Sequence, residues 1–207
     1  LDPGNADLAL QLASAYARIN RAEEALRIYQ QLGAQGNGGS DLLERMAELQ
    51  AQRKEYVAAF EYYAQAAKNW GATKYLNAKQ VEQLGEILDR VVVAALEDAR
   101  EALIGFSRGE TMRENAFAVL VSRRTRLGNA VGLLDKIRVP PSYEALIGVC
   151  RQAVSLAYQA QTDQDLFVDL NQPRYNTTGS SLFEQAGKEV VRARQMLESL
   201  TRTSGTP

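Results

Sequence analysis

The side chains of this chain that could do chemistry are carboxylates that lie close together in the sequence. Three pairs stand out: Glu23 with Glu24, Glu97 with Asp98, and Asp163 with Asp165. A carboxylate pair can act as general acid and base when burial separates the two pKa values. Each pair lies in a helical pattern among polar neighbours, which is typical of a solvated helix face. We therefore predict solvated carboxylates and no enzymatic activity, with an active site among the C-terminal helices as the alternative.

Nucleophiles and metal ligands are scarce. The 207 residues include no histidine, and Cys150 is the only cysteine, in an apolar stretch that favours a buried, unreactive thiol. These counts exclude a Ser-His-Asp or Cys-His site, an intrachain disulfide and an ordinary zinc site built from this chain. The acidic segment 163–169 invites a calcium-loop interpretation, but Val168 replaces the required glycine and Arg174 the final glutamate. The sequence predicts no metal and no other cofactor.

The charge pattern argues against nucleic acid as a partner. The chain has 24 basic and 25 acidic residues and a net charge of −1. A nucleic-acid-binding surface usually shows a basic excess, and the one compact basic run, residues 123 to 126, is expected to be a solvated helix face. We therefore predict no nucleic-acid partner.

The sequence also bears on location. The longest apolar run covers residues 91 to 96, far short of the roughly 20 residues that span a bilayer, so no membrane span is expected. A soluble protein is predicted, either cytoplasmic or at the cell envelope if a signal peptide or anchor precedes Leu1. Asn176, Thr177 and Thr178 match a glycosylation acceptor in a predicted loop, and whether Asn176 is modified stays open.

Two parts of the chain share a pattern at a spacing of 34 residues. Leu12, Ala13, Ala25 and Tyr29 in the first part align with Met46, Ala47, Ala59 and Tyr63 in the second. The apolar spacing predicts helices at about 6–19, 22–34, 41–53 and 56–69, with Ser40 capping the third. A helix pair repeated at this period buries its apolar face by stacking on its neighbours, which creates a concave surface.

On these residues, the segment from about 5 to 71 resembles the tetratricopeptide repeat family, whose 34-residue unit is a hairpin of two antiparallel helices. It departs from the family pattern at Gln50, where an aromatic residue is usual, and at Leu32, where a small residue is usual. In that family, the first helix of each repeat lines the concave surface that holds a polypeptide. The resemblance therefore implies binding of a protein or peptide.

The family's lining positions can be carried over to this chain residue by residue. They are Asp7, Leu10, Ser14, Ala17 and Arg18 in the first repeat, and Asp41, Glu44, Glu48, Ala51 and Gln52 in the second. Four acids then face one base, so the partner is expected to be basic or polar. The lysines, arginines and asparagines with which family members hold the acidic C-termini of heat-shock chaperones are missing.

After about residue 74 the 34-residue period ends and longer helices are predicted. Their ranges are about 77–107, 111–137 with a capping box at Thr111 and Glu114, 141–172, and 183–200 after a polar loop from Arg174 to Ser180. Alanine recurs at heptad-like positions, which favours close contact between helices. We predict an antiparallel four-helix bundle for residues 73–207, after a repeat domain in residues 1–72.

The fold class predicted from sequence is all-α: two tetratricopeptide-like hairpins followed by the bundle. The predicted function is a non-enzymatic interaction or assembly scaffold that binds a polypeptide through the concave face. The alternative is a self-associating structural subunit, a homo-oligomer or filament with no separate client.

Overall fold

The structure is a computed structural model and describes residues 5–36, 38–170 and 172–204. Within these ranges it contains eight α-helices: α1 Ala6–Arg18, α2 Ala22–Ala34, α3 Ser40–Gln52, α4 Tyr56–Asn69, α5 Ala78–Ser107, α6 Arg113–Asp135, α7 Glu144–Leu170 and α8 Pro173–Ser204. The strands in the described part are β1, Lys74–Tyr75, and β2, Ile137–Arg138. The predicted all-α class is confirmed. The chain divides into two compact units, with the boundary between Ala72 and Thr73.

In the N-terminal unit, α1 packs against α2, α2 against α3 and α3 against α4. The small residues predicted at the helix crossings are all fully buried: Ala13, Ala25, Ala47 and Ala59. Leu12 and Met46 occupy equivalent sequence positions but differ in environment, because Met46 is 4% exposed and Leu12 is 47% exposed. Since α2 packs against α3, Met46 joins the core of this unit, while Leu12 leaves apolar surface in solvent.

The 34-residue period is also visible in the backbone of the two turns, α1 to α2 and α3 to α4. Asn20 and Lys54, which are 34 residues apart, both adopt positive φ, at 60° and 63°. In each turn the next amide donates a hydrogen bond to a carbonyl five residues back, at 2.9 Å. Such left-handed residues close the preceding helix and reverse the chain. The two turns therefore have the same local geometry.

The C-terminal unit is built from α5 to α8. Helix α7 packs against the other three helices of the unit, and α5 does the same. Helix α5 begins with a capping box in which Asn77 accepts from the Gln80 amide and Gln80 accepts from the Asn77 amide, both at 3.1 Å. The strands β1 and β2 pair in parallel, which sequence patterning did not predict because two residues carry no alternation.

Two predicted helix caps are wrong. Helix α6 begins at Arg113 with Met112 as its N-cap residue and no side-chain cap. Thr111 instead belongs to the turn that closes α5, where its amide donates to the Gly105 carbonyl at 3.1 Å. Ser40 is the first residue of α3, after Gly39, and makes no capping hydrogen bond there.

The predicted polar loop from Arg174 to Ser180 is also wrong, because α8 is helical from Pro173 onward. Thr177 and Thr178 donate their hydroxyl protons to carbonyls four residues back, at 3.3 and 3.0 Å, which is compatible with helix. Proline suits the first turn of a helix, where its missing amide proton is not needed. Asn176 therefore lies in a helix and not in a loop.

Gly179 in α8 allows a close contact with α7. A Cβ at this position would lie 2.6 Å from Gln164 Nε2 and 3.0 Å from its Cδ, and Gln164 is fully buried. In Gly179→Ala, the higher helix propensity of alanine should raise the free energy of unfolding by about 1 kcal/mol. Overpacking against Gln164 should lower it by about 1–3 kcal/mol. We expect net destabilisation in urea unfolding followed by circular dichroism.

The matched control is Gly148→Ala in α7, where no atom lies within 4 Å of the added Cβ. The free energy of unfolding of this variant should rise by about 0.5–1 kcal/mol, since only the helix propensity changes. In a Gln164→Ala background, Gly179→Ala should become stabilising as well. Equal effects of the two glycine substitutions in the native background would contradict the assigned α7–α8 contact.

Candidate functional site

A cleft of about 920 Å³ lies in the N-terminal unit, mainly between α1 and α3. Its lining comprises Leu10, Gln11, Ser14, Ala15, Ala17, Arg18 and Ile19 from the α1 side, Tyr29 from α2, and Gly38, Gly39, Asp41, Leu42, Arg45, Glu48, Leu49 and Gln52 from the α3 side. The volume falls within the range of ligand sites in proteins. The first helix of each hairpin supplies most of the lining.

A hydroxyl cluster lies in the cleft and connects three helices. Ser14 donates its hydroxyl proton to the Leu10 carbonyl at 2.8 Å, and its Oγ lies 3.3 Å from the Tyr29 hydroxyl. Arg45 reaches across from α3 and donates to Ser14 Oγ at 3.5 Å. Tyr29 is 2% exposed, so its ring belongs to the core while its hydroxyl meets the cleft. These contacts bring hydroxyl and guanidinium groups together beside apolar lining residues such as Leu10 and Leu49.

The structure places most of the residues predicted from the family positions around this cleft. Those that line it are Leu10, Ser14, Ala17, Arg18, Asp41, Glu48 and Gln52. Asp7 is exposed in the first turn of α1 but is not part of the lining, and Ala51 is half-buried outside it.

Glu44 points away from the cleft. It is 8% exposed, and its carboxylate accepts a hydrogen bond from Trp70 Nε1 at 2.9 Å. Each residue turns an α-helix by about 100°, so Glu44 lies about 60° to one side of Asp41, whereas Arg45 lies about 40° to the other. The interior side of α3 therefore takes Glu44, and the cleft side takes Arg45.

The predicted excess of acid in the cleft is consequently wrong. Two carboxylates, Asp41 and Glu48, lie beside two guanidinium groups, Arg18 and Arg45. Arg45 was missed although a signal was present, because it stands four residues after Asp41 and three before Glu48, on the same helix face. Tyr29 was missed because it belongs to α2, and the family positions consider only the first helix of each repeat.

A second cluster of polar side chains is buried between the helices of the C-terminal unit. Gln161 and Gln164 are fully buried and Asp165 is 4% exposed, all on α7. Gln161 donates to the Ala95 carbonyl of α5 at 3.2 Å, and Arg124 of α6 lies 2.6 Å from an Asp165 oxygen. Neither amide atom of Gln164 has a hydrogen-bond partner among the described residues. Buried unpaired polar groups are costly, so this layer is a weak point of the core.

This buried layer corrects two expectations about solvated charge. Asp165 is buried and not on a solvated face, and in the basic run Arg123 and Arg124 form ion pairs with Asp98 and Asp165, at 2.6 Å each. Burial raises the pKa of the Asp165 carboxyl to about 6, while Arg124 opposes the rise. Because so little of Asp165 is exposed, a substrate has no direct access to it. The layer therefore fits a structural role better than acid–base catalysis.

The described residues contain no group of three or more histidine, cysteine, aspartate or glutamate side chains that could hold a metal ion. Cys150 is buried, and burial raises the pKa of its thiol to about 12, which keeps it protonated and unreactive at neutral pH. None of the helices in the described part of the chain has the length and apolar character needed to cross a membrane.

Comparisons with protein-family models, curated proteins and solved structures give no match to the chain. The likeness to the tetratricopeptide family therefore rests on the 34-residue pattern of side chains alone.

Proposed function

We propose that this chain is a non-enzymatic interaction module that holds an extended segment of a partner polypeptide in the cleft between α1 and α3. The observation that carries the proposal is the cleft itself, whose lining combines apolar side chains with charged and hydroxyl groups from both helical hairpins. An extended chain presents backbone donors, backbone acceptors and alternating side chains, and such a lining can meet all three.

The lengths of the two helices that line the cleft are compatible with a short peptide as its ligand. Helices α1 and α3 each have 13 residues, which corresponds to a length of about 20 Å at 1.5 Å per residue. An extended segment rises about 3.3 Å per residue, so about six residues of a partner would fit along the cleft. This length is sufficient for a short linear motif.

The charges around the cleft define the chemistry of that segment. Arg18 and Arg45 offer donors to carboxylates, and Asp41 and Glu48 offer acceptors to lysine or arginine. A polar segment that carries both signs of charge therefore complements the cleft better than a purely basic one. Ser14 and Tyr29 add hydroxyl groups that can bind backbone amides or carbonyls.

The chemistry of the cleft supports binding over catalysis. The chain contains no histidine, and the Ser14 hydroxyl proton is donated to a main-chain carbonyl. A serine in this arrangement has no adjacent general base, which nucleophilic catalysis requires.

The test uses a random octapeptide library displayed on phage, selected against the whole chain, followed by calorimetry with the enriched peptides. Asp41→Lys combined with Glu48→Lys should weaken binding of these peptides at least tenfold while helicity stays unchanged, because both carboxylates become cations. Affinity should also fall as salt screens the pairs. Glu44 is left intact, since its burial would make a lysine there disruptive.

Asp7→Lys is the matched control, because Asp7 is exposed on the same unit but lies outside the cleft. It should leave the affinity of the enriched peptides unchanged. The cleft would be refuted as a peptide-binding site if enriched peptides bound the double variant as tightly as the native chain. A library that yields no binder would refute it as well.

A second candidate function, self-association, is favoured by an apolar stripe that runs along α1 to its C-cap residue Ile19 and shares Ala15 and Ile19 with the cleft lining. Leu8, Leu12 and Ile19 are 62%, 47% and 64% exposed, and Ala15 is exposed between them. At about 100° per residue these four side chains fall within about 60° of each other around the helix. Single exposed apolar residues are common, but a continuous stripe marks an interaction surface.

For this second candidate we expect concentration-dependent association in light scattering that Leu8→Glu abolishes, because the charge would be desolvated in the contact. Val191→Glu is the control, since Val191 is 49% exposed on α8, outside the stripe. A strict monomer over a wide concentration range would rule this candidate out.

A further inference from the structure

A second groove, of about 580 Å³, lies within the C-terminal unit between the end of α5 and the beginning of α8. It is lined by Arg100, Leu103, Ile104, Ser107 and Arg108 on the α5 side, and by Asn176, Ser180, Phe183 and Glu184 on α8. The groove depends on the helical start of α8, which the sequence pattern does not predict because residues 174–180 have a loop-like composition.

The inner wall of the groove is apolar and continuous with the core. Leu103 is 8% exposed and belongs to a buried cluster with Ala99, Leu120 and Val168, against which Phe183 also packs. Ile104, by contrast, keeps 40% of its surface exposed in the groove. An apolar chain entering here would extend an existing core cluster and cover Ile104.

The charged groups in the groove favour an anion. Arg100 and Arg108 are both exposed, and their guanidinium groups form no ion pair or hydrogen bond with any described residue. Arg108 directly follows the last residue of α5 and stands eight residues after Arg100, which corresponds to about 12 Å along the helix axis and about 80° around it. Glu184 on α8 is the one acid in the lining. Arginine donors in pairs are suited to carboxylate and phosphate oxygens. Ser107, Ser180 and Asn176 offer further polar contacts.

We propose that this groove is a binding site for a small anionic amphiphile, a phosphate or carboxylate head group attached to a short alkyl chain. The head group is held by Arg100 and Arg108, and the alkyl chain lies against Leu103, Ile104 and Phe183. The volume is in the range of small-molecule sites, whereas a partner helix would need a longer continuous groove. The site is independent of the cleft in the N-terminal unit.

The experiment measures binding of octyl phosphate and octanoate to the whole chain by calorimetry, below their micellar concentrations. Methyl resonances of Ile104 report on occupancy of the groove. We expect both ligands to bind and to shift Ile104, and Arg100→Gln combined with Arg108→Gln to weaken binding at least tenfold with unchanged helicity. Ile104→Ser should weaken octyl phosphate severalfold. A difference between the two ligands would show which head group the site prefers.

Arg192→Gln combined with Arg202→Gln is the matched control, since both arginines are exposed elsewhere on α8. It should leave binding unchanged. No binding of either ligand, equal loss in the control, or binding without a shift of Ile104 would overturn the proposal. The proposal would also be overturned by a competitor that binds as tightly as octyl phosphate. Tight binding of inorganic phosphate would indicate a simple anion site, and tight binding of octylammonium a purely apolar site. Tight binding of hexaglutamate would indicate a site for an acidic protein partner.

Discussion

Phe60→Ala is expected to lower the free energy of unfolding of the N-terminal unit by about 3–5 kcal/mol. The Phe60 side chain in α4 is completely buried, so its removal loses the transfer free energy of the ring and leaves a cavity that the surrounding helices fill only in part. The single tryptophan, Trp70, donates to Glu44 inside the same unit, so its fluorescence during urea unfolding reports on this unit.

Gln65→Ala is the control for this measurement. Gln65 lies on the same helix with an exposed side chain, and its replacement should change the free energy of unfolding by no more than about 0.5 kcal/mol. Similar midpoints for the two variants would show that α4 is turned differently about its axis.

Arg124→Leu is expected to destabilise the C-terminal unit at neutral pH, at the lower end of the range of about 3–5 kcal/mol that is typical of breaking a buried ion pair. Without the guanidinium that lies 2.6 Å away, the Asp165 carboxyl must either stay charged in the core or take up a proton, and both cost free energy at neutral pH. We expect the lower end of this range because the Arg124 side chain is already 34% exposed and because the Asp165 carboxyl can take up a proton. Circular dichroism in urea measures the change.

The double variant Arg124→Leu with Asp165→Asn should recover part of this loss, since no charge is left unpaired. Arg192→Leu is the control, because the ion pair of Arg192 with Glu189 involves an arginine that is 62% exposed, and such pairs contribute about 0–1 kcal/mol. A cost for Arg124→Leu no greater than for Arg192→Leu would refute the buried pair.

The pH dependence has a definite sign. The pKa of Asp165 is about 6 in the folded chain and 3.8 in the reference state, so the folded chain binds more protons between these values. The contribution of Asp165 to stability is therefore complete below pH 3.8 and is lost as pH rises through about 6. The stability difference between the native chain and Asp165→Asn should fall over that interval. A flat difference would contradict the raised pKa.

The same reasoning applies to Arg124→Leu, which removes the charge that lowers the pKa of Asp165. Its cost should be smallest in acid, where the carboxyl is protonated in both chains, and should grow as pH rises above about 6. A cost that does not change with pH would assign the effect of Arg124 to packing alone.

Local patterns in the sequence predicted the helices of the N-terminal unit well, because short-range periodicity and glycine determine where such helices begin and end. Local patterns were misleading where two elements compete for one residue. Thr111 and Glu114 match a capping box, but Thr111 closes the preceding helix. Residues 174 to 180 have a polar, loop-like composition, yet packing of Gly179 on Gln164 accompanies a continuous helix. Tertiary contact outweighs weak local preference in such segments.

Composition and spacing along the chain are sufficient to predict an all-α protein, to exclude histidine chemistry within the 207 residues, and to identify a pair of helices that recurs after 34 residues. These features depend on composition and on spacing along one helix. The tertiary structure alone decided that Glu44 turns inward to Trp70 while Arg45 enters the cleft, that Asp165 is buried beside Arg124, and that α5 and α8 form a second groove. Neighbouring side chains such as Glu44 and Arg45, about 100° apart on a helix, can have opposite surroundings, and the helices packed around them determine which one meets solvent.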